Sequence, residues 1–149
     1  MSGVYEAQKK LVDILRSEVL DVPNVYLGAI PYPAEPNKTR YPYLAIQAIT
    51  GESRVLKTRT SVLRVIYGLV CEQKQGLADE RQQMGEWLVT LAEKAMAAIE
   101  SRAGSLEYSR VTRVGWLQES RITGPYWHLL LDFTVEFHSR PAFSGGFLT

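Results

Sequence analysis

The sequence predicts an α+β fold: a mainly antiparallel sheet of about four to five strands with two helices packed on one face. Three observations carry that expectation. Two segments repeat their apolar residues at helical three- and four-residue steps, the segments between and after them are runs of β-branched and aromatic residues, and Pro or Gly separates the two kinds. At 149 residues, with 46% apolar and 22% charged side chains, the chain has the size and balance of one globular domain and not of a disordered or fibrous chain. We read residues 1–140 as a single α+β domain and 141–149 as a C-terminal extension.

Over residues 4–19 the apolar positions Val4, Leu11, Val12, Leu15 and Val19 fall on one arc, with Glu6, Lys9, Lys10, Asp13 and Arg16 on the rest, which predicts an amphipathic helix that Pro23 ends. Residues 24–30 read as a short strand. Pro31, Pro33 and Pro36 then mark an extended loop or arm that also carries Lys38 and Arg40. Residues 43–49, nearly all apolar between Pro42 and Gly51, read as a strand buried on both faces. Residues 60–72 form a longer one, with Leu63, Val65, Tyr67, Leu69 and Cys71 on one side, and the two pair as a hairpin whose connection, residues 51–59, is too long for a tight turn. After Gly76 the period changes. Met84, Trp87, Leu88, Leu91, Ala92, Ala95, Met96 and Ile99 trace one stripe of a second helix that Gly104 closes. Residues 106–119 alternate weakly as a strand, and Gly124-Pro125 turns into the last one, where Trp127, Leu129, Leu131, Phe133, Val135 and Phe137 face one way and His128, Asp132, Thr134, Glu136 and His138 the other.

The single cysteine, Cys71, has no partner for an internal disulfide and reads as a small buried hydrophobe. The opening residues are polar and lack the apolar core of a secretion signal, and no run reaches membrane-spanning length, so the expectation is a cytosolic chain without membrane contact.

Candidate chemistry is sparse. The polar side of the last strand gathers His128, Asp132, Glu136 and His138, but residues two apart on a strand stand about 6.6 Å apart and residues four apart about 13 Å, which leaves only Glu136 and His138 near enough to share an ion. No Gly-rich phosphate loop, cysteine cluster or nucleophile elbow is present. The sequence therefore predicts no enzyme, with no catalytic or metal-binding residues and no cofactor. Met84, Trp87 and Met96 read as core and not as cofactor contacts.

Charge says more. Between Pro36 and Ile66 stand Lys38, Arg40, Arg54, Lys57, Arg59 and Arg64 against the single acid Glu52, a local +5 in a chain whose formal total is +1, so the remainder is −4. A basic loop at Arg54, Lys57 and Arg59 beside an acidic body suits a phosphate backbone or an acidic protein patch, and equally a solvated hairpin tip. The end of the chain holds Phe143, Phe147 and Leu148 around Ser144-Gly145-Gly146, apolar anchors that dock either on their own body or on a neighbour.

The order of these elements resembles that of the tail terminator, or tail completion, proteins of long-tailed bacteriophages. The features that carry the resemblance are the opening helix, the Tyr41-Pro42-Tyr43-Leu44 lead into the first hairpin strand, the long loop at residues 51–59, the helix over 77–101 and the final strand pair, together spanning residues 4–140. What the resemblance implies is a structural virion protein at the head-proximal end of the tail, assembled in the host cytoplasm. It would form a homo-oligomeric, hexameric ring that caps the tail tube protein, joins it to the head connector and lets genomic DNA pass through its lumen. On that reading Arg54, Lys57 and Arg59 line the lumen or meet the tube. The arm residues Pro33, Pro36, Lys38 and Arg40 and the tail residues Phe143, Phe147 and Leu148 contact a partner. A head completion or head-to-tail joining protein of the neck is the nearest alternative. A nucleic-acid-binding module using the basic hairpin is a further one, although the aromatic-and-basic strand motifs of single-strand readers are missing.

Overall fold

The computed structural model describes residues 3–28, 41–53, 59–70, 77–102, 104–106, 109–118 and 126–137. The elements run α1 (Gly3–Glu18), β1 (Asn24–Leu27), β2 (Tyr43–Ser53), β3 (Arg59–Val70), α2 (Leu77–Ser101), β4 (Ser105–Leu106), β5 (Ser109–Gln118) and β6 (Tyr126–Phe137). The α+β class is as expected. The strands form one sheet in the order β1-β2-β3-β6-β5-β4; β1 pairs with β2 in parallel and the other four pairings are antiparallel.

One face of the sheet carries the core. Across the strands, Leu44, Tyr67 and Leu129 stand in one row and Ile46, Val65 and Leu131 in the next. All six are essentially inaccessible, and against them pack Ala7, Leu11, Ile14 and Leu15 of α1 and Met84, Leu88, Leu91, Ala92, Ala95 and Ile99 of α2. Each fully buried Leu or Ile stabilises by about 1.5–3 kcal/mol relative to its exposed state. Tyr67 ties this face to the end of α1: its hydroxyl donates to the carbonyl of Leu20 at 3.1 Å and, at 3.4 Å, to that of Leu15. The Leu20 carbonyl lies just past the end of α1, beyond the helix's own donors. Arg102, just past α2, donates to Glu18 at 2.7 and 2.9 Å and so links the C-terminal ends of the two helices.

Four features depart from the sequence expectation, each for a local reason. The sheet has six strands rather than four to five, because the single strand expected over residues 106–119 is a two-residue stub, β4, folded back on a longer β5. Its weak alternation has a second cause: the register with β6 slips between Val111 and Arg113, so Val111 and Val114 face the helices although they are three apart. The long loop expected over residues 51–59 is shorter, since Gly51, Glu52 and Ser53 still pair with Ser61, Thr60 and Arg59. A bulge at Ile49 re-phases β2 there, and the Ser61 hydroxyl donates to the Thr50 carbonyl at 2.6 Å. Consequently only residues 43–46 of the strand expected to be buried on both sides are so, and Ile49 is exposed. On α2, Trp87 stands at the margin of the apolar arc and is 40% exposed, and Met96 is half-buried; Ala98 is buried instead.

The proline arm with Pro33, Pro36, Lys38 and Arg40, the loop residues Arg54 and Lys57, Cys71, Gly124-Pro125, His138 and the C-terminal Phe143, Phe147 and Leu148 lie outside the described residues.

Candidate functional site on the open sheet face

The side of the sheet turned away from the helices is built from the alternate residues of the same strands. Its first row runs Tyr43, Gly68, His128. Gly68 is what lets Tyr43 lie down on the sheet: a Cβ at that position would meet Tyr43 Cε2 at 2.0 Å. Tyr43 is buried, and an aromatic cluster gathers round it. Tyr41 stands 5.0 Å edge-on from it, Tyr26 of β1 6.1 Å and His128 6.3 Å between ring centroids, and Tyr41 also packs on Tyr126 at 4.7 Å. The Tyr41 hydroxyl is hydrogen-bonded to His128 Nε2, and the Asn24 amide donates to the Pro42 carbonyl at 3.2 Å. Pairs of this kind contribute about 0.5–1.5 kcal/mol each beyond their buried area. They anchor the chain where it enters β2.

The next row is apolar: Ala45, Ile66, Leu130 and Leu117, of which Leu117, at the sheet margin, is 60% exposed. Beyond it comes Gln47, Arg64, Asp132, Gly115. Here Arg64 grips Asp132 through two parallel bonds, Nε to Oδ1 at 2.8 Å and Nη2 to Oδ2 at 3.0 Å. The hydrogen bond to Asp132 raises the guanidinium pKa above its ordinary value, against a smaller opposing effect of burial. Two rows on, Glu136 faces Arg110 at 3.8 Å. The open face thus has an aromatic end, an apolar strip and a paired-charge end.

This arrangement separates the residues that the last strand had grouped. His128 engages Tyr41, Asp132 engages Arg64 and Glu136 engages Arg110, and at four-residue steps each stands about 13 Å from the next along the strand. Among the described residues no group of three or more His, Cys, Asp or Glu side chains is placed to hold a metal ion. Arg64, counted with the basic surplus, has its charge matched within the fold.

Arg59 is exposed at the start of β3, directly across from Ser53 on one side and Phe137 on the other. The basic loop therefore springs from the same end of the sheet as the C-terminal segment, whose last described residue is Phe137. Sequence reasoning missed the aromatic cluster. Tyr26, Tyr41, Tyr43, Tyr126 and His128 come from three separate stretches, and only the strand register, with Tyr43 opposite Gly68 opposite His128, unites them. It also missed the bare side of β5: past Val111 no described residue pairs with that strand on the side away from β6. No protein-family model matches this sequence, and no curated protein matches it.

Proposed function

We propose that this chain is a structural virion protein, a tail terminator that forms a hexameric ring, caps the tail tube and joins it to the head connector. The observation that carries the reading is the open sheet face: a broad surface whose central charges, Arg64 and Asp132, are matched to each other within the fold and whose aromatic and apolar rows offer contact area. Such a surface serves docking. It has no cluster poised to move protons or hold a reacting group among its described residues, and a terminator needs only faces and interfaces. Further support comes from the order of elements, helix, hairpin, crossing helix and closing strands, and from a hairpin whose strands pair as far as Ser53 and Arg59, on either side of the segment that carries Arg54 and Lys57 in sequence.

In this role the open face meets either the tube or the connector, the basic tip lines the path of the DNA, and the arm and C-terminal segment clasp a neighbouring subunit. The test is complementation in vitro. Full-length protein added to a lysate of the encoding phage or prophage with this gene disrupted restores infectious particles by capping tubes that then accept heads. Recovery by joining heads to tails already of normal length would instead make it a neck protein. No recovery, together with salt-sensitive binding to DNA fragments, would make it a nucleic-acid module.

A further inference from the structure

We propose that copies of this chain join head to tail through their sheet edges: the bare edge of β5 in one copy pairs antiparallel with the bare edge of β1 in the next. The inference deepens the ring reading above, and rests on it for the expectation that copies assemble, but it is argued from the edges themselves.

Among the described residues nothing protects the long β5 edge past its start. β4 covers only Ser109 and Arg110, and the Gly104 carbonyl takes the Val111 N–H at 2.7 Å. From Thr112 to Gln118, about 23 Å at the usual strand rise, no described residue pairs with the strand on that side. Edges exposed for good are blunted with Lys, Pro or brevity. This one presents Trp116 at 41% and Leu117 at 60% exposure, and α2, which packs against β5, adds the exposed Trp87. In the middle sits Gly115. A side chain there would meet no described atom within 4 Å, and its backbone is not in the left-handed region, so nothing among the described residues calls for glycine. Glycine within a strand marks a place where another backbone comes close.

The opposite margin supplies the complement. Val25, Tyr26 and Leu27 of β1 pair with β2 and with no described residue on their other side, and Leu27 is 40% exposed. β1 runs parallel to β2, and three antiparallel steps then lead to β5, so the two margins run in opposite directions. A second copy set beside the first by rotation brings β1 against β5 in the antiparallel sense, which is the more stable ladder. The faces agree as well. Leu27 and Trp116 both lie on the helix side, opposite Ile46 and Leu131 in their own sheets, and Tyr26 and Leu117 both lie on the open side, opposite Ala45 and Leu130. One register satisfies both faces and puts apolar on apolar: Leu27 across from Trp116 and Tyr26 across from Leu117 of the second copy, with Gly28 facing Gly115. A head-to-tail junction of this kind closes into a ring when its rotation closes.

The experiment is sedimentation velocity on the full-length chain across a concentration series, with Trp116→Lys and Leu27→Lys; both side chains are exposed, so thermal midpoints should match the wild type. Wild-type protein should form a multi-subunit assembly, and each variant alone should lose self-association by about 30-fold or more. Mixed, the two variants should form a heterodimer and nothing larger, because one intact β1 edge then meets one intact β5 edge while lysines block both free ends. Self-association of Leu27→Lys alone would overturn the proposal in favour of a two-fold β5 contact. A wild-type chain that stays monomeric throughout would also overturn it. An assembly indifferent to both lysines would remove the junction while leaving the ring, whereas the predicted heterodimer from a chain whose loss leaves tails normal would keep the junction and remove the terminator role.

Discussion

Replacing Gly68 with Ala should destabilise the fold by about 2–4 kcal/mol although it adds one methyl group. The new Cβ would fall 2.0 Å from Tyr43 Cε2 and 2.5 Å from Cδ2 and Cζ, well inside van der Waals contact. Tyr43 is 3% exposed and wedged among Tyr41, Tyr26 and His128, so its ring has nowhere to slide without breaking those contacts. Overpacking of this kind costs about 1–3 kcal/mol, and each aromatic contact loosened adds about 0.5–1.5. The better strand propensity of Ala offsets about 0.5–1 kcal/mol of that. Urea unfolding of Gly68→Ala, Tyr43→Ala and the double variant measures the effect. In the Tyr43→Ala background the clash partner is gone, so adding Ala at position 68 should be neutral or stabilising, giving a coupling energy of about 2 kcal/mol or more. An equal cost of Gly68→Ala with and without Tyr43 would show that the Tyr43 ring is not what excludes a side chain at position 68.

Removing the Tyr67 hydroxyl with Phe should cost about 1–2 kcal/mol by leaving the Leu20 carbonyl without its donor. Burial raises the Tyr67 pKa above its ordinary 10.0, so the native state holds this proton when the unfolded chain has released it. Stability from this group is therefore complete below about pH 10 and falls as pH rises beyond it; urea midpoints from neutral to alkaline pH should decline less steeply in Tyr67→Phe than in the wild type. Asp132→Asn should cost only about 0.2–1 kcal/mol, and less at high salt, because the Arg64–Asp132 pair is more than a third exposed; a loss above about 2 kcal/mol would mean that the pair supports more than itself. Reversing charge at Arg54, Lys57 and Arg59 together should leave the thermal midpoint unchanged and impair tail attachment or DNA passage; particles of undiminished infectivity would remove the loop from the proposed lumen.

Which parts of this molecule could be read from the chain follows from the range of the forces involved. The two helices were legible because their period is local: α2 was expected over residues 77–101 and spans Leu77–Ser101. β6 was legible because strict alternation survives wherever one face is buried throughout, as at Trp127, Leu129, Leu131, Phe133 and Val135. Legibility fails where pairing between distant segments decides. The bulges at Ile49 and Thr112 shift the side-chain phase by one residue, and nothing in the local composition marks them. The parallel seating of β1 on β2 and the meeting of Tyr43, Gly68 and His128 depend on register across dozens of residues, which a single sequence encodes only through the whole fold. The ion pair of Arg64 with Asp132 is of the same kind: a count of local charge places Arg64 in a basic patch, and the register neutralises it.

The central claim, that this protein works by contact at the head-proximal end of a tail, is tested most directly by negative-stain microscopy of a lysate from the encoding phage or prophage with this gene disrupted. Without the protein, tail tubes should grow past their normal length beside full, tailless heads. Intact, infectious particles would contradict it.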